Sequence, residues 1–150
     1  MRAVVQRVTS ARVNVGDRVV GAIERGLLVL VGVARDDGPE DIAYVTAKIR
    51  DMRIFEGEDG RPNHRSVLDI RGSVLLVSQF TLLGDIRKGR RPSFDAAAPP
   101  DRARQVYEEL VRELEASSLA VETGEFRASM DVELVNEGPV TILVDSRRAF

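Results

Sequence analysis

Residues 26–34 have the sequence Gly-Leu-Leu-Val-Leu-Val-Gly-Val-Ala, the longest apolar run in the chain. The run is short for a helix and rich in valine and leucine, which favours a strand that is buried on both faces. A helix that spans a bilayer needs about 20 apolar residues. The run therefore predicts an interior strand and not a membrane anchor.

Patterns on both sides of this strand predict a hairpin and two helices. Residues 12–20 hold two runs of β-branched side chains around a Gly-Asp pair, which is typical of a hairpin. Pro39 is expected to begin a helix, because proline suits the first helical position and two acidic residues follow it in the first turn. A second helix is predicted to begin at Pro100, with an apolar face that reaches Leu114.

Further strands are predicted in the second half of the chain. Residues 73–82 form the second strongly apolar run. Residues 130–135 alternate in polarity and residues 140–144 are largely apolar, so with the turn residues between them they predict a second hairpin. Residues 84–100 are a long polar connection between the second apolar strand and the second helix.

These elements predict the fold class, an α+β domain with a twisted, partly closed antiparallel sheet or barrel and two main helices. Residues 1–150 contain no internal repeat, low-complexity segment or linker, which indicates a single domain. The helix after residue 34 leaves an alternative open, because it would also serve as a crossover between parallel strands. Nothing glycine-rich precedes that helix, as a nucleotide-binding fold would require.

The composition excludes several kinds of chemistry. The chain has no cysteine and one histidine, so thiol nucleophiles, disulfides and ordinary zinc sites are excluded. No G-x-S-x-G sequence is present, and His64 lies in a Pro-Asn-His-Arg segment that is typical of an exposed loop. We therefore expect no metal and no cofactor, and an enzyme that works without a histidine base.

Charge bears on location and on partners. The N-terminal residues carry charges where a signal peptide would need an apolar region, so a cytoplasmic protein is expected. The net charge of −2 gives no general attraction for a polyanion, and any surface that binds nucleic acid has to be local. A local basic run is present at Arg87, Lys88, Arg90 and Arg91. Arginine binds phosphate oxygens two at a time, whereas the alternative interpretation is a solvated loop.

Two segments break the local pattern. Residues 78–81, Ser-Gln-Phe-Thr, place polar side chains at the end of an apolar strand. They either line a pocket, with backbone N–H groups that face a ligand oxygen, or close the strand into a turn. At Gly138-Pro139, proline stands where a hairpin ladder would need an N–H group. That bond is either cis in a tight turn or trans at the end of a loop.

Six segments of the chain resemble the D-aminoacyl-tRNA deacylase family, in the family's order. Residues 78–82, Ser-Gln-Phe-Thr-Leu, are similar to the S-Q-F-T-L signature, and residues 136–141, Asn-Glu-Gly-Pro-Val-Thr, to the N-x-G-P-V-T signature. The shorter matches are Gln6-Arg7-Val8, residues 26–33, Arg53-Ile54-Phe55 and Arg91-Pro92-Ser93-Phe94. The resemblance extends from Met1 to Val144.

The resemblance implies an editing enzyme that hydrolyses the ester of D-aminoacyl-tRNA and of glycyl-tRNA(Ala) and rejects L-amino acids. It also implies a homodimer with two composite sites. Ser78, Gln79, Phe80 and Thr81 would form the catalytic floor beneath the ester. The 2′-hydroxyl of the terminal adenosine would assist the attack of a water molecule, and no side chain would be the nucleophile.

The resemblance also assigns a role to the second signature. In the family the Gly-Pro bond is cis and its loop enters the partner's active site, so Gly138 and Pro139 would present backbone carbonyls to the α-carbon of the substrate. Arg7 would brace this loop, and Phe126 and Met130 match a nearby pocket segment. Arg127 departs from the glycine or alanine that family members usually have at that position.

The expected partner is the 3′ end of an aminoacyl-tRNA, with the basic run as its binding surface, and neither a membrane nor DNA is expected. One alternative belongs to the same functional class and one to a different class. The same fold forms an editing domain of archaeal threonyl-tRNA synthetases, which removes L-serine. The other alternative is a nucleic-acid-binding module without catalysis, which would use the basic run alone.

Overall fold

A computed structural model describes residues 1–150. The chain forms six strands, two α-helices and one 3-10 helix. In chain order these are β1 (Arg2–Val15), β2 (Arg18–Ile23), β3 (Gly26–Gly32), α1 (Pro39–Asp51), β4 (Ser73–Ser78), the 3-10 helix (Phe80–Leu83), α2 (Pro100–Ala116), β5 (Ala120–Thr123) and β6 (Asp131–Asp145).

Strand β1 organises the sheet because it is long enough to pair with three others. One of its edges pairs with β3 along residues 2–8 and with β2 along residues 11–15. Its other edge pairs with β6. The order β2-β1-β3-β4-β5 brings the two ends of the sheet together, since a Cβ atom on Gly21 of β2 would clash with the carbonyl oxygen of Thr123 in β5. The sheet is thus a nearly closed barrel.

The predicted fold class is confirmed, with one difference in strand direction. The sheet is mixed and not purely antiparallel, because β3 pairs parallel with β4 and β4 pairs parallel with β5. Parallel neighbours need a crossover connection, and the chain that links β3 to β4 contains α1. The alternative interpretation of the first helix as a crossover is therefore the right one.

The prediction of a second hairpin is wrong. Residues 131–145 form the single strand β6, which pairs antiparallel with β1 from Asn14↔Asp131 to Arg2↔Asp145. The two halves of β6 do not pair with each other, because β1 runs past both and offers each of them a ladder. The segment that was expected to be the hairpin turn is a bulge in this strand.

The core has two layers that follow the period of two in the strands. Leu27, Val29 and Val31 of β3 point towards the helices and belong to the larger cluster of 22 buried residues. Leu28 lies on the opposite face, in a cluster of seven buried residues inside the barrel. The prediction that this strand is buried on both faces is confirmed.

The helices start where the prolines predict. In α1 the N–H group of Gly38 donates to the Asp41 carboxylate at 2.9 Å, which caps the first turn. Helix α2 packs Val106, Leu110 and Leu114 onto the larger core cluster. Neither helix has the length and apolar composition that crossing a bilayer requires. The apolar strand 73–82 is shorter than predicted, because the chain leaves β4 after Ser78 and turns into the 3-10 helix.

Candidate active site

A cavity of about 540 Å³ opens where β3 and β4 end. Val31 and Val33 lie at the end of β3 and Ser78 at the end of β4, and all three line it. The other walls come from the 3-10 helix, the start of α2 and the segment between β5 and β6. The volume falls within the range of about 300–1,000 Å³ that is typical of small-ligand sites.

Residues 78–81 form the polar floor of this cavity. The Gln79 N–H group donates to the Val31 carbonyl at 2.7 Å, which extends the parallel ladder by one residue. The Gln79 side-chain amide donates to the Thr81 hydroxyl at 3.1 Å. Phe80 and Thr81 begin the 3-10 helix, and the first N–H groups of a helix have no partner within it. These groups are suited to a ligand oxygen.

Close packing behind the floor depends on Gly32. A Cβ atom there would clash with the Leu83 side chain and would lie 2.9 Å from the Gln79 carbonyl oxygen. The end of β3 and the 3-10 helix therefore approach each other only because residue 32 has no side chain.

Aromatic side chains form two sides of the cavity. Phe80 and Phe94 meet edge to face with their ring centroids 5.0 Å apart, and Phe80 is 57% exposed at the mouth. On the other side the rings of Tyr107 and Phe126 are 5.8 Å apart. The Tyr107 hydroxyl donates to the Leu76 carbonyl at 2.8 Å, and burial raises the pKa of this phenol. Tyr107 is therefore a protonated structural group and not a base.

No carboxylate, imidazole or thiol lines the cavity. Its ionisable side chains are Tyr107 and Arg127, and neither is suited to take a proton from a nucleophile. His64 does not line the cavity. It lies in a loop elsewhere, where its backbone N–H group donates to the Phe55 carbonyl. The hydroxyls of Ser78 and Thr81 thus have no side-chain base beside them in this chain.

The second signature forms a bulge opposite Arg7. In the ladder between β1 and β6, Gln6 pairs with Thr141 and Val8 pairs with Asn136. Between these two pairs, Arg7 alone faces the four β6 residues 137–140. The Asn136 side-chain amide closes the bulge, because it donates to the carbonyls of Arg7 and Val140 at 2.9 Å each. The loop is held at both ends by one side chain.

The Arg7 side chain lies against the bulge. Its guanidinium donates to the Ile54 carbonyl and lies 3.3 Å from the Glu137 carboxylate, without the alignment of a hydrogen bond. Gly138 has φ +124, and a Cβ atom on it would lie 3.1 Å from an Arg7 nitrogen. The Gly138–Pro139 peptide bond is cis. Neither residue lines the cavity of its own chain.

The basic run lies in a loop that is tied to the cavity mouth. Asp85 and Ser93 exchange two backbone hydrogen bonds of 2.7 and 2.9 Å, and Phe94 follows directly into the cavity wall. Arg87 is engaged by the Asp85 carboxylate at 2.6 Å, and this hydrogen bond holds the pKa of Asp85 well below its usual range. The other three cations, Lys88, Arg90 and Arg91, are exposed and form no ion pair.

The structure therefore gathers the predicted site residues into three places. The cavity holds the floor and the pocket segment, namely Ser78, Gln79, Phe80, Thr81, Phe126 and Met130. The bulge holds Arg7, Gly138 and Pro139, and the exposed loop holds Arg87, Lys88, Arg90 and Arg91. Sequence reasoning missed Tyr107 as a cavity residue, although its hydroxyl on an otherwise apolar helix face was a usable signal.

Comparisons with known proteins agree with one another. A family model described as D-Tyr-tRNA(Tyr) deacylase matches residues 4–145. Proteins named D-aminoacyl-tRNA deacylase from Thermotoga petrophila and Thermosipho africanus are 59% and 57% identical to this chain, each over 100% of both chains.

Two solved structures are similar to this chain. One is a c-Myc DNA unwinding element binding protein, with a TM-score of 0.91, 39% identity and coverage of 97% of this chain and 98% of that one. The other is described as a probable eukaryotic D-amino acid tRNA deacylase, with a TM-score of 0.81, 18% identity and coverage of 95% and 97%. At that identity the second likeness bears on the fold alone.

Proposed function

This chain belongs to the D-Tyr-tRNA(Tyr) deacylase family, and from that premise we propose that it hydrolyses the ester of D-aminoacyl-tRNA to free D-amino acid and tRNA. The observation that carries the proposal is the full-length identity of 57–59% to proteins named for this activity. The cavity supports it, because a volume of about 540 Å³ with a polar floor and aromatic walls suits an aminoacylated nucleoside. With charged tRNA as the substrate, the protein acts in the cytoplasm.

The chemistry of the cavity favours catalysis by the RNA itself. A hydroxyl is a weak nucleophile without a base next to it, and the Thr81 hydroxyl is next to an amide. The 2′-hydroxyl of the terminal adenosine is adjacent to the ester and assists a water molecule. The protein positions the ester, and the N–H groups at Phe80 and Thr81 stabilise the oxyanion, an effect worth about 3–4 kcal/mol per donor in other enzymes.

Selection by handedness is assigned to the bulge of a second subunit. A rigid backbone carbonyl beside the α-carbon excludes every L side chain at once, lets a D side chain point outward and accepts glycine, so glycyl-tRNA(Ala) is also a substrate. Gly138 and Pro139 supply such carbonyls, yet they do not line the cavity of their own chain. A homodimer in which each bulge enters the other cavity reconciles these two facts.

The exposed surface of β6 supports this assembly. The strand has 15 residues and pairs only with β1, so its other edge is unpaired. Val135 and Leu143 are 55% and 58% exposed on either side of the bulge. A long edge strand with exposed apolar side chains is a ready surface for a second copy of the chain.

A binding module without catalysis is the second candidate, because one solved neighbour is named for binding a DNA unwinding element and the basic loop is exposed. The test uses D-tyrosyl-tRNA in large excess over the protein. An enzyme releases many equivalents of tyrosine per subunit. A binding module releases none above the spontaneous rate while still retaining tRNA or DNA, and that outcome would replace the proposed function.

A further inference from the structure

Arg127 occupies an unusual place in the cavity wall. The turn Glu125–Ala128 is closed by the Ala128 N–H group, which donates to the Glu125 carbonyl at 3.2 Å. Arg127 is the third residue of this turn and has φ +67. A positive φ at the third residue is the feature of a type II turn, where glycine or asparagine adopts it at low cost. Residue 127 is therefore an arginine at a position where the backbone favours glycine.

The side chain of Arg127 has no structural use within the chain. It is exposed and forms no ion pair or hydrogen bond with another residue. The carboxylate closest in sequence, Glu125, is engaged by Arg18 at 3.2 Å. The guanidinium at the cavity wall is thus available to a ligand.

A second arginine lies on the same side of the cavity. The Arg104 guanidinium of α2 stacks over the ring of Phe126, 4.7 Å from its centroid, and it also forms no ion pair. The ring of Tyr107, one turn further along α2, lies 5.8 Å from the same ring, centroid to centroid. Phe126 is therefore held by α2 and carries one cation stacked on it and another next to it in sequence.

This pair of cations is separate from the basic loop. The loop follows the 3-10 helix and reaches the cavity through Phe94, whereas Arg104 and Arg127 reach it through Phe126. Arg127 thus places positive charge at the cavity wall, apart from the basic loop, in a chain whose net charge is −2. A protein without an overall attraction for RNA needs its positive charge at the points where the backbone passes.

Resting on the proposed function, we propose that Arg127, assisted by the field of Arg104, binds a backbone phosphate of the tRNA 3′ end and so positions the terminal nucleoside in the cavity. A terminal nucleoside that fills the cavity is joined to the rest of the RNA strand through its 5′-phosphate. That phosphate therefore has to lie at the rim of the cavity. A guanidinium binds two phosphate oxygens at once, which fixes both distance and orientation. Arg127 is in this account a positioning residue, because it does not touch the reacting atoms.

The test variant is Arg127→Gly, which removes the guanidinium and the backbone cost together. For D-tyrosyl-tRNA we expect the KM to rise about fivefold at low salt, with kcat within twofold of the unaltered protein. The melting temperature is expected to rise by about 2–4 °C, because glycine tolerates positive φ. Arg127→Lys keeps the charge but loses the two-oxygen contact, so it should retain only part of the affinity. A structural role would instead lower stability and kcat together.

A matched control is available in Arg71. It is also an exposed arginine with positive φ (+53) and no ion pair, and it lies before β4, at the opposite end of that strand from Ser78. Arg71→Gly should give the same gain in melting temperature and leave the KM unchanged. An equal rise of the KM in both glycine variants would overturn the assignment of phosphate binding to Arg127.

The source of the anion is tested with D-tyrosyl-adenosine, which carries the ester but no phosphate. Arg127→Gly should leave its hydrolysis unchanged, and a loss with this substrate would overturn the proposal. If Arg127→Gly slows hydrolysis of D-aspartyl-tRNA alone, the guanidinium binds the amino-acid carboxylate and not a phosphate. That result would also overturn the proposal.

Binding of uncharged tRNA judges the proposal independently of hydrolysis. Arg127→Gly should flatten the slope of log affinity against log salt by about 0.7–0.9, the value of one phosphate contact. If the unaltered protein binds tRNA but hydrolyses nothing, the proposed function fails while this slope still decides the role of Arg127.

Discussion

Thr81 is the residue at which this cavity differs most from a conventional hydrolase site. Its hydroxyl lies on the cavity floor, but its neighbour is the Gln79 amide, which donates a hydrogen bond to it at 3.1 Å. An amide has no pKa that would let it take the proton of a nucleophile. At the scale of the residue, the floor offers hydrogen-bond geometry and no activated side chain.

We therefore expect Thr81→Ala to keep most of the deacylase activity, within about tenfold in kcat, because one neutral hydrogen bond contributes about 1 kcal/mol. D-tyrosyl-tRNA with a 2′-deoxy terminal adenosine should instead be nearly inert with the unaltered protein. Single-turnover rates measure both effects. A folded, tRNA-binding Thr81→Ala protein with no activity would assign the nucleophile to the threonine.

A second residue-scale prediction concerns Gly138. A Cβ atom there would lie 2.9 Å from a Val140 methyl carbon and 3.0 Å from the Val140 nitrogen, at a φ of +124 that L side chains rarely adopt. Gly138→Ala should therefore displace the bulge and lower kcat/KM for D-tyrosyl-tRNA by at least about tenfold, since small displacements of positioning groups are costly. Initial-rate kinetics on the folded variant provide the measurement.

Gly60→Ala is the control for the backbone cost alone. Gly60 also has positive φ (+77), but nothing lies within 4 Å of the position of its Cβ atom, and it lies outside the cavity. It should lose about 1 kcal/mol of stability and no activity. If Gly138→Ala behaves as Gly60→Ala does, the shape of the bulge has no part in catalysis.

Much of the candidate site could be predicted from particular residues. The polar break at residues 78–81 and the basic run are local signals, and the structure places one on the cavity floor and the other in an exposed loop. The contribution of Tyr107 could not be predicted from spacing, because helix periodicity assigns it to the core without saying that the core has a cavity beside it. The positive φ of Arg127 could not be read from the arginine itself, although the glycine that family members often have at this position was a usable signal.

At the scale of elements, the basic loop is the clearest separable unit. Its backbone is closed by the Asp85 and Ser93 hydrogen bonds, so side-chain changes within it should not alter the fold. Arg90→Ala with Arg91→Ala should weaken tRNA binding and flatten the salt slope by about 1.4–1.8, with little change in kcat. Affinity measured across a salt series decides this, and an unchanged slope would leave the loop without a role in binding.

The strands show where sequence patterns are insufficient. Residues 130–135 and 140–144 have the alternation and turn residues of a hairpin, yet they form one strand because a 14-residue partner, β1, is available to both. Pairing depends on the partner and its register, which a local window does not contain. The parallel pairing of β3 with β4 was ambiguous for the same reason, since a crossover helix and an isolated helix have the same periodicity.

At the scale of the whole molecule, the proposed selection by handedness requires two copies of the chain. Val135→Lys should place a charge on the exposed edge strand β6 and convert a dimer into a folded monomer, with deacylation reduced by at least about tenfold because the cavity loses the partner's bulge. Analytical ultracentrifugation gives the mass, to be compared with 16.5 kDa for one chain.

Val19→Lys is the matched control for that change. Val19 is as exposed as Val135, at 55%, but lies on β2. It should leave both the dimer and the rate unchanged. A Val135→Lys monomer with full activity would show that one chain contains the complete site.

The central claim is that the molecule hydrolyses charged tRNA according to the handedness of the amino acid. The most direct measurement is the initial rate of ester loss from one tRNA charged in parallel with D-tyrosine, L-tyrosine or glycine, with the spontaneous rate subtracted. We predict turnover of the D-tyrosyl and glycyl esters, and a rate for the L-tyrosyl ester at least about a hundredfold lower, because the partner's backbone carbonyl excludes an L side chain. Equal rates for the two enantiomers, or no turnover of either, would contradict the account.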